Sequence, residues 1–219
     1  MATRLPLFPL NTVLVPGLVL PLHVFEPRYR VLVQALLELP EDAERRFGVI
    51  AIRSGREVGA DGVRALYTVG CTAELREVTP HPDGRFDLVT VGETRFRLVA
   101  LDEDADTPYH TGFVDFLPER DGDGDVGSLA RRVAHRFADY RERLGVDVTD
   151  LPEQPQVVSY LVAAAVVLDL PERQALLEQP TTADRLRAEL EILRRECALV
   201  GAFHSLPAVD LARESGSAN

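Results

Sequence analysis

The sequence predicts an α+β fold, with an antiparallel barrel or sandwich and one packed helix in the N-terminal half and a four-helix bundle in the C-terminal half. Up to Pro118, short runs rich in Val, Leu, Phe and Thr are separated by turns, and no helix alternates between them. After Gly127, apolar residues recur at helical spacings of three and four. The polar, acidic stretch ERDGDGDVG between these halves is typical of a linker. We therefore expect a β-barrel lobe at 1–118, an acidic linker at 119–127, a helical lobe at 128–206 and a flexible tail at 207–219.

The predicted strands are short and closely spaced. Beyond the N-terminal segment they are expected at 47–53, 67–78, 86–91, 94–101 and 110–117. Residues 82–84 (PDG) predict a hairpin turn, because Asp and Gly tolerate the positive φ of tight turns, and residues 91–94 (VGET) predict another. One helix interrupts the strands, since Pro27 suits a first helical position. Its buried face is expected to carry Tyr29, Leu32, Val33, Leu36 and Leu37.

The C-terminal helices follow from apolar periodicity and capping residues. They are expected at 131–144, from Pro155 through the apolar run 157–168, from Pro171, and from Thr181 onward. The run 157–168 is shorter than the roughly 20 residues that cross a bilayer, so it predicts a buried helix and no membrane association.

The N-terminal stretch 5–33 is strongly apolar but contains five prolines. A secretory signal would need an uninterrupted helical core and a cleavage site, and neither is present. The two cysteines, Cys71 and Cys197, form no CxxC pair, and Cys197 lies on the apolar face of the last predicted helix. We interpret both as reduced thiols and expect a folded, cytoplasmic protein.

Charge and residue usage disfavour several classes of function. The net charge is −11, which repels nucleic acid and anionic lipid. All 24 basic residues are arginine, so a P-loop lysine, a Schiff-base lysine and a Ser-Lys dyad are excluded. GxSxG and HExxH motifs are absent, no GxGxxG motif directly follows a predicted strand, and no two of the five histidines are three or four residues apart. The sequence therefore predicts no catalytic residues, no metal site and no cofactor.

Two charged clusters are interpreted as structural. Asp121, Asp123 and Asp125 imitate the start of a calcium-binding EF-hand loop, but the sixth and twelfth positions are Val126 and Arg132 where Gly and Glu are needed. Between Glu26 and Arg30, the carboxylate suits a helix start, and the two arginines are expected to pair with it or point to solvent rather than to form an anion site.

The stretch LPLFPLNTVLVPGLVLPLHVFEPRYR at 5–30 closely resembles the first motif of the Lon N-terminal, substrate-binding domain family. Further similarity lies in VGCTA at 69–73, DGR at 83–85, GETRF at 92–96 and the helical segment 169–193, although Cys71 stands where Gly is usual. The resemblance covers about residues 5–200. It implies a PUA-like antiparallel pseudo-β-barrel followed by a helical bundle.

The resemblance also implies a function. In Lon proteases this region captures unfolded or tagged polypeptides, while separate ATPase and Ser-Lys protease modules degrade them. Because the chain ends soon after the helices and has no lysine, we expect a stand-alone, non-catalytic form that acts as an adaptor or chaperone-like factor in proteolysis. Its expected partners are protein or peptide clients, together with a protease.

Three residues of the N-terminal segment are the candidate polypeptide contacts: Phe8, Phe25 and Tyr29. This segment has more apolar side chains than one strand needs, so some of them can form an exposed patch, although a place in the core is the alternative for each. The alternative function is a PUA-like RNA-binding or small-ligand-binding module, and the net charge opposes the RNA-binding form.

Overall fold

The structure of the chain is a computed structural model that describes residues 2–40, 42–55, 63–147 and 150–204. Within these residues the chain forms seven strands and five helices. The strands are β1 (Thr3–Leu10), β2 (Val19–Val24), β3 (Arg46–Gly55), β4 (Val63–Leu66), β5 (Val69–Pro80), β6 (Phe86–Leu101) and β7 (Thr111–Phe116). The helices are α1 (Pro27–Leu37), α2 (Val126–Arg143), α3 (Pro155–Ala165), α4 (Leu170–Leu177) and α5 (Thr182–His204). The predicted flexible tail at 207–219 lies outside the described residues.

Five of the strands pair in a closed ring, in the order β1, β7, β6, β5, β3 and back to β1. The two halves of β1 make this closure possible. Residues 3–6 pair with β7, whereas residues 7–10 pair with β3. The β1–β3 pairing is parallel, so the expectation of a wholly antiparallel sheet is wrong at this one pair, and the remaining pairings are antiparallel.

Strand β6 is a single strand of 16 residues, so the turn predicted at residues 91–94 is wrong. Its first half pairs with β2 and its second half with β7, while β5 runs along both halves with two register shifts. Gly92 is required here for close packing and not for a turn. A β-carbon on Gly92 would lie 2.3 Å from the carbonyl oxygen of Val15, in the loop whose residues Gly17 and Leu18 hydrogen-bond to the Gly92 backbone.

Helix α1 begins at Pro27, as predicted, and packs against the ring. Four of its five expected apolar residues are buried: Tyr29, Leu32, Val33 and Leu36. They share one core cluster with residues of β1, β3, β5 and β6, including Phe8 and Phe47. The chain therefore leaves β2, reverses through Phe25 and Glu26, and returns over the ring as a helix.

Four helices follow the strands, as predicted. Helix α2 begins at Val126, with the Asp125 side chain accepting a hydrogen bond from the Ser128 amide at 2.9 Å, so the last two residues of the predicted linker are helical. Helix α3 ends at Ala165, before the end of the apolar run. Helices α2, α3 and α5, together with Val166 directly after α3, supply the buried residues of one core cluster. Helix α4 contacts β5 as well as α3 and α5. Among the described helices, none combines the length and apolar character that spanning a membrane requires.

A buried polar network joins β6 to the helices. The Arg95 guanidinium donates hydrogen bonds to Glu119 at 2.7 Å and to the backbone carbonyls of Leu177 and Gln179 at 2.8 and 2.6 Å. From the helical side, Arg185 donates to the Tyr160 hydroxyl at 2.9 Å. The Tyr160 hydroxyl in turn donates to the same Glu119 oxygen at 2.6 Å. Glu119, the first residue of the predicted linker, is thus held between the two parts of the molecule.

Candidate functional site

A small surface depression lies where the end of β1, the end of β2 and the start of α1 meet. It has a volume of about 110 Å³, and most of its lining is apolar. The lining residues are Phe8, Pro9, Leu10, Leu22, His23, Val24, Phe25, Glu26 and Tyr29. All three predicted contact residues therefore contribute to one depression, although they are separated in the sequence by as many as 21 positions.

Phe8 and Tyr29 form the buried part of this depression. Their rings stack with centroids 4.0 Å apart, and Phe8 also packs against Phe47 at 5.6 Å. Phe8 is 7% exposed and Tyr29 is 2% exposed, so both belong mainly to the core. Each therefore presents only a small part of its surface to the depression.

Phe25 is the accessible member of the three. In β2, Leu20, Leu22 and Val24 point inward and alternate with exposed residues, and Phe25 continues the exposed series after the strand ends. Its side chain is 48% exposed, and its ring lies 6.2 Å from the ring of His23. A bound partner can therefore bury much of the Phe25 ring without disturbing the core.

The strands beside the depression have incomplete backbone pairing. Among the described residues, β2 pairs with β6 alone. The second half of β1 pairs as a strand with β3 alone, although the Leu7 amide also donates a hydrogen bond of 2.8 Å to the His110 carbonyl. Pro9 and Pro21 lack an amide N–H, which limits unselective edge-to-edge association of these segments. An apolar depression beside an open strand edge is suited to an extended peptide, which adds as a further strand and places alternate side chains in pockets.

The charged residues next to the depression are paired. Arg28 donates to Glu26 at 2.8 Å, and its guanidinium lies 4.9 Å from the centre of the Tyr29 ring. For Glu26 and Arg28, this agrees with the interpretation of the charges as structural. The pair forms a polar rim beside an apolar depression.

The comparisons with known proteins give the family. The model of the "ATP-dependent protease La (LON) substrate-binding domain" matches residues 4–195. The chain belongs to this family. The match confirms the resemblance drawn from the N-terminal motif and covers both the strands and the helices.

The relatives and solved structures are consistent with this Lon-type domain. Lon protease 2 of Myxococcus xanthus is 30% identical over 203 residues, which are 88% of this chain and 24% of that protein. The Lon protease of Anaeromyxobacter dehalogenans is also 30% identical, over 88% of this chain and 23% of its own length. The chain thus spans about a quarter of the length of these relatives.

Two solved structures share the fold. The Lon N-terminal domain protein from Xanthomonas campestris has a TM-score of 0.64 and 26% identity, covering 86% of this chain and 98% of its own. The N-terminal domain of a Mycobacterium avium complex Lon protease has a TM-score of 0.68 and 17% identity, covering 88% and 98% respectively. The mixed α/β architecture with an antiparallel sheet is therefore that of Lon N-terminal domains.

The structure of this Lon-type domain also brings together polar residues that the sequence analysis did not connect. The His23 Nδ1 atom lies 2.6 Å from one oxygen of Asp87, and the His81 Nε2 atom lies 2.7 Å from the other. All three side chains are at least partly exposed, and the His23 ring lies beside Phe25. Strand register creates the cluster, because β2 pairs with β6 so that His23 is opposite Asp87. Only a correct strand pairing could have revealed it from sequence.

The two cysteines and the linker aspartates have surroundings that suit a structural role. Burial raises the pKa of the Cys71 thiol far above its ordinary value and raises the pKa of Cys197 as well, so neither is an activated nucleophile. Of the three aspartates that imitate a calcium loop, Asp125 caps α2, and the backbone carbonyl of Asp123 accepts a hydrogen bond from Arg187 at 2.6 Å.

Proposed function

We propose that this Lon-type domain binds unfolded or tagged polypeptides at the depression between β1, β2 and α1, and that it does so without catalysis of its own. The observation that carries the proposal is the exposed Phe25 ring beside an apolar depression and an open strand edge. Family membership supplies the class of partner, since the matched domain is described as substrate-binding.

The size of the depression favours a polypeptide over a free small molecule. Pockets that enclose drug-sized ligands measure roughly 300–1,000 Å³, whereas this depression measures about 110 Å³. A volume of that size suits one or two side chains of a longer segment. Backbone hydrogen bonds to β2 would hold the rest of the segment independently of its sequence.

The clients best matched to this site are extended segments with apolar side chains at alternate positions. In a strand added to β2, every second side chain faces the same way, so one apolar residue enters the depression and the next on that face contacts Phe25. Folded proteins bury such segments, whereas unfolded chains expose them. In the cytoplasm, a domain with this selectivity would act as an adaptor or chaperone-like factor that delivers clients to a protease.

A matched pair of phenylalanine variants tests the proposal. Fluorescence anisotropy with labelled, permanently unfolded carboxymethylated lactalbumin measures the affinity of wild type, Phe25→Ser and Phe113→Ser. Phe113 lies on β7 and is 38% exposed, which makes it a suitable control for Phe25. Burying half of a phenylalanine side chain stabilises a complex by about 1 kcal/mol, so Phe25→Ser should weaken binding roughly fivefold.

Phe113→Ser should bind the labelled chain as wild type does. The proposal fails if the wild-type protein does not bind at micromolar concentration. Equal loss of affinity in Phe25→Ser and Phe113→Ser would contradict the placement of the binding site at Phe25.

A further inference from the structure

We propose that His23, His81 and Asp87 form a binding site for one divalent transition-metal ion, with Zn²⁺ the best match. Each residue offers one ligand atom, and these atoms all lie within 4.8 Å of one another. No other group of this kind occurs among the residues that the structure describes. The argument for this site does not rest on the polypeptide-binding proposal, although His23 also lines the depression.

The backbone brings the three ligands together. Antiparallel pairing of β2 with β6 sets His23 opposite Asp87. The turn between β5 and β6 is closed by a hydrogen bond of 2.8 Å from the His81 amide to the Arg85 carbonyl. His81 thus sits at the base of the hairpin that leads into Asp87. The ligands come from a paired strand and a closed turn, which limits the entropy lost when an ion binds.

The distances are close to those that a tetrahedral ion needs. With metal–ligand bonds of about 2.0–2.1 Å, neighbouring ligand atoms in a tetrahedral site lie about 3.3 Å apart. Asp87 now bridges the histidines at 2.6 and 2.7 Å. Binding therefore requires each imidazole nitrogen to move less than about 1 Å from the carboxylate. Ligand atoms as far apart as the 4.8 Å limit must also approach one another by at most about 1.5 Å, and rotation of the exposed side chains allows both movements.

The ligand set determines the class of metal. Two imidazoles and one carboxylate suit Zn²⁺ and neighbouring transition metals, whereas Ca²⁺ and Mg²⁺ prefer sites built from oxygen alone. His23 and Asp87 are about half exposed and His81 is about one-third exposed. Water can therefore complete the coordination.

One neighbouring residue opposes binding and provides a sharp test. The His23 Nε2 atom lies 3.4 Å from the Arg85 guanidinium, which is paired with Asp83 at 2.7 Å. A metal-bound histidine usually donates its second N–H to an acceptor, and Arg85 offers only donors and a positive charge there. Replacing Arg85 with Gln supplies an acceptor oxygen and removes the charge, so Arg85→Gln should bind the ion more tightly.

A bound ion would connect β2 to the β5–β6 turn at the edge of the depression. It would fix the imidazole of His23, whose ring packs beside Phe25. The ion would therefore stabilise the folded domain, and the stabilisation would grow with the logarithm of the ion concentration once that concentration exceeds the Kd.

Isothermal titration calorimetry of the untagged, chelator-treated protein with ZnCl₂ tests the assignment, and Co²⁺ absorption in the visible range reports the coordination geometry. We expect one ion per chain and a raised melting temperature with Zn²⁺. We expect the variants His23→Ala, His81→Ala and Asp87→Asn each to bind Zn²⁺ roughly tenfold or more weakly than wild type. Losing a residue that merely hydrogen-bonds to a metal ligand already costs about that much affinity, and each of these variants loses a ligand itself.

His135→Ala serves as the matched control, because His135 is exposed on α2, away from the cluster. It should bind Zn²⁺ as the wild-type protein does. Circular dichroism of each variant without metal confirms that it is folded. The absence of saturable one-to-one binding in the wild type, equal affinity in His81→Ala, or weaker binding in Arg85→Gln would overturn the assignment.

Discussion

The Glu189 carboxyl group on α5 is almost completely buried, and neither of its oxygens has a hydrogen-bond partner among the described residues. Burial raises its pKa well above the ordinary value of 4.5, and the nearby Arg185 guanidinium only partly opposes this. The folded protein therefore holds this proton more tightly than the unfolded chain does. Because the unfolded state binds fewer protons above pH 4.5, Glu189 makes the free energy of unfolding fall as pH rises toward the raised pKa.

Glu189→Gln removes this charge while preserving the shape of the side chain. The variant should unfold at a higher temperature than wild type at pH 8, and the gain should shrink as pH falls toward 4.5, where both states of the wild type become protonated. Calorimetric melting temperatures from pH 5 to 8 measure the effect. Glu191→Gln is the control, because Glu191 is exposed and paired with Arg194. A gain in Glu189→Gln that does not depend on pH would contradict the pKa direction.

At the scale of elements, the contact between β6 and the C-terminal helices depends on Glu119. The side chains of Arg95 and Arg185 are 2% and 0% exposed, and Glu119 is the carboxylate closest to both, at 2.7 and 3.7 Å. Burial raises the pKa of Tyr160, so its hydroxyl remains a donor to Glu119 at neutral pH. Removing the Glu119 charge takes away the carboxylate that lies within 4 Å of both buried arginines.

Glu119→Gln should therefore reduce the free energy of unfolding by roughly 2 kcal/mol or more, as expected when one partner of a buried ion pair is lost. Urea unfolding followed by circular dichroism measures this change. Glu44→Gln is the control, because Glu44 is exposed and pairs with Arg46, and such surface pairs contribute about 0–1 kcal/mol. Equal losses in both variants would show that the network does not stabilise the junction.

Short sequence patterns predicted the positions of helices and strands better than they predicted which strands pair. Pro27 and the apolar spacing after it gave the correct start of α1, because both act within one or two helical turns. The closed ring needed the parallel β1–β3 pair, and no local pattern specifies which distant strand β1 will meet. Gly92 was interpreted as a turn because the sequence does not reveal the carbonyl of Val15 packed against it.

The candidate site was predicted only in part, for the same reason. The apolar N-terminal segment pointed to Phe8, Phe25 and Tyr29, but exposure depends on tertiary packing, which buries two of them. Their roles as contact residues remain predictions. The His23–His81–Asp87 cluster was missed because its ligands are 58 and 6 positions apart and meet through strand register.

At the scale of the whole molecule, net charge and architecture both bear on the partner. With 35 acidic residues against 24 arginines, the chain repels phosphate backbones, which disfavours the alternative of RNA binding. The ring and helices have the fold of Lon N-terminal domains, and the family model matches both parts. The central proposal is that clients occupy the open edge of β2 beside Phe25.

Hydrogen–deuterium exchange of the protein with and without saturating carboxymethylated lactalbumin tests this claim most directly. A client added as a strand would protect backbone amides of β2 that do not already pair with β6, and would bury Phe25. The account predicts slowed exchange in residues 19–26. Slowed exchange confined to β7 and the second half of β6 around Phe113, or unchanged exchange in β2 at saturation, would contradict it.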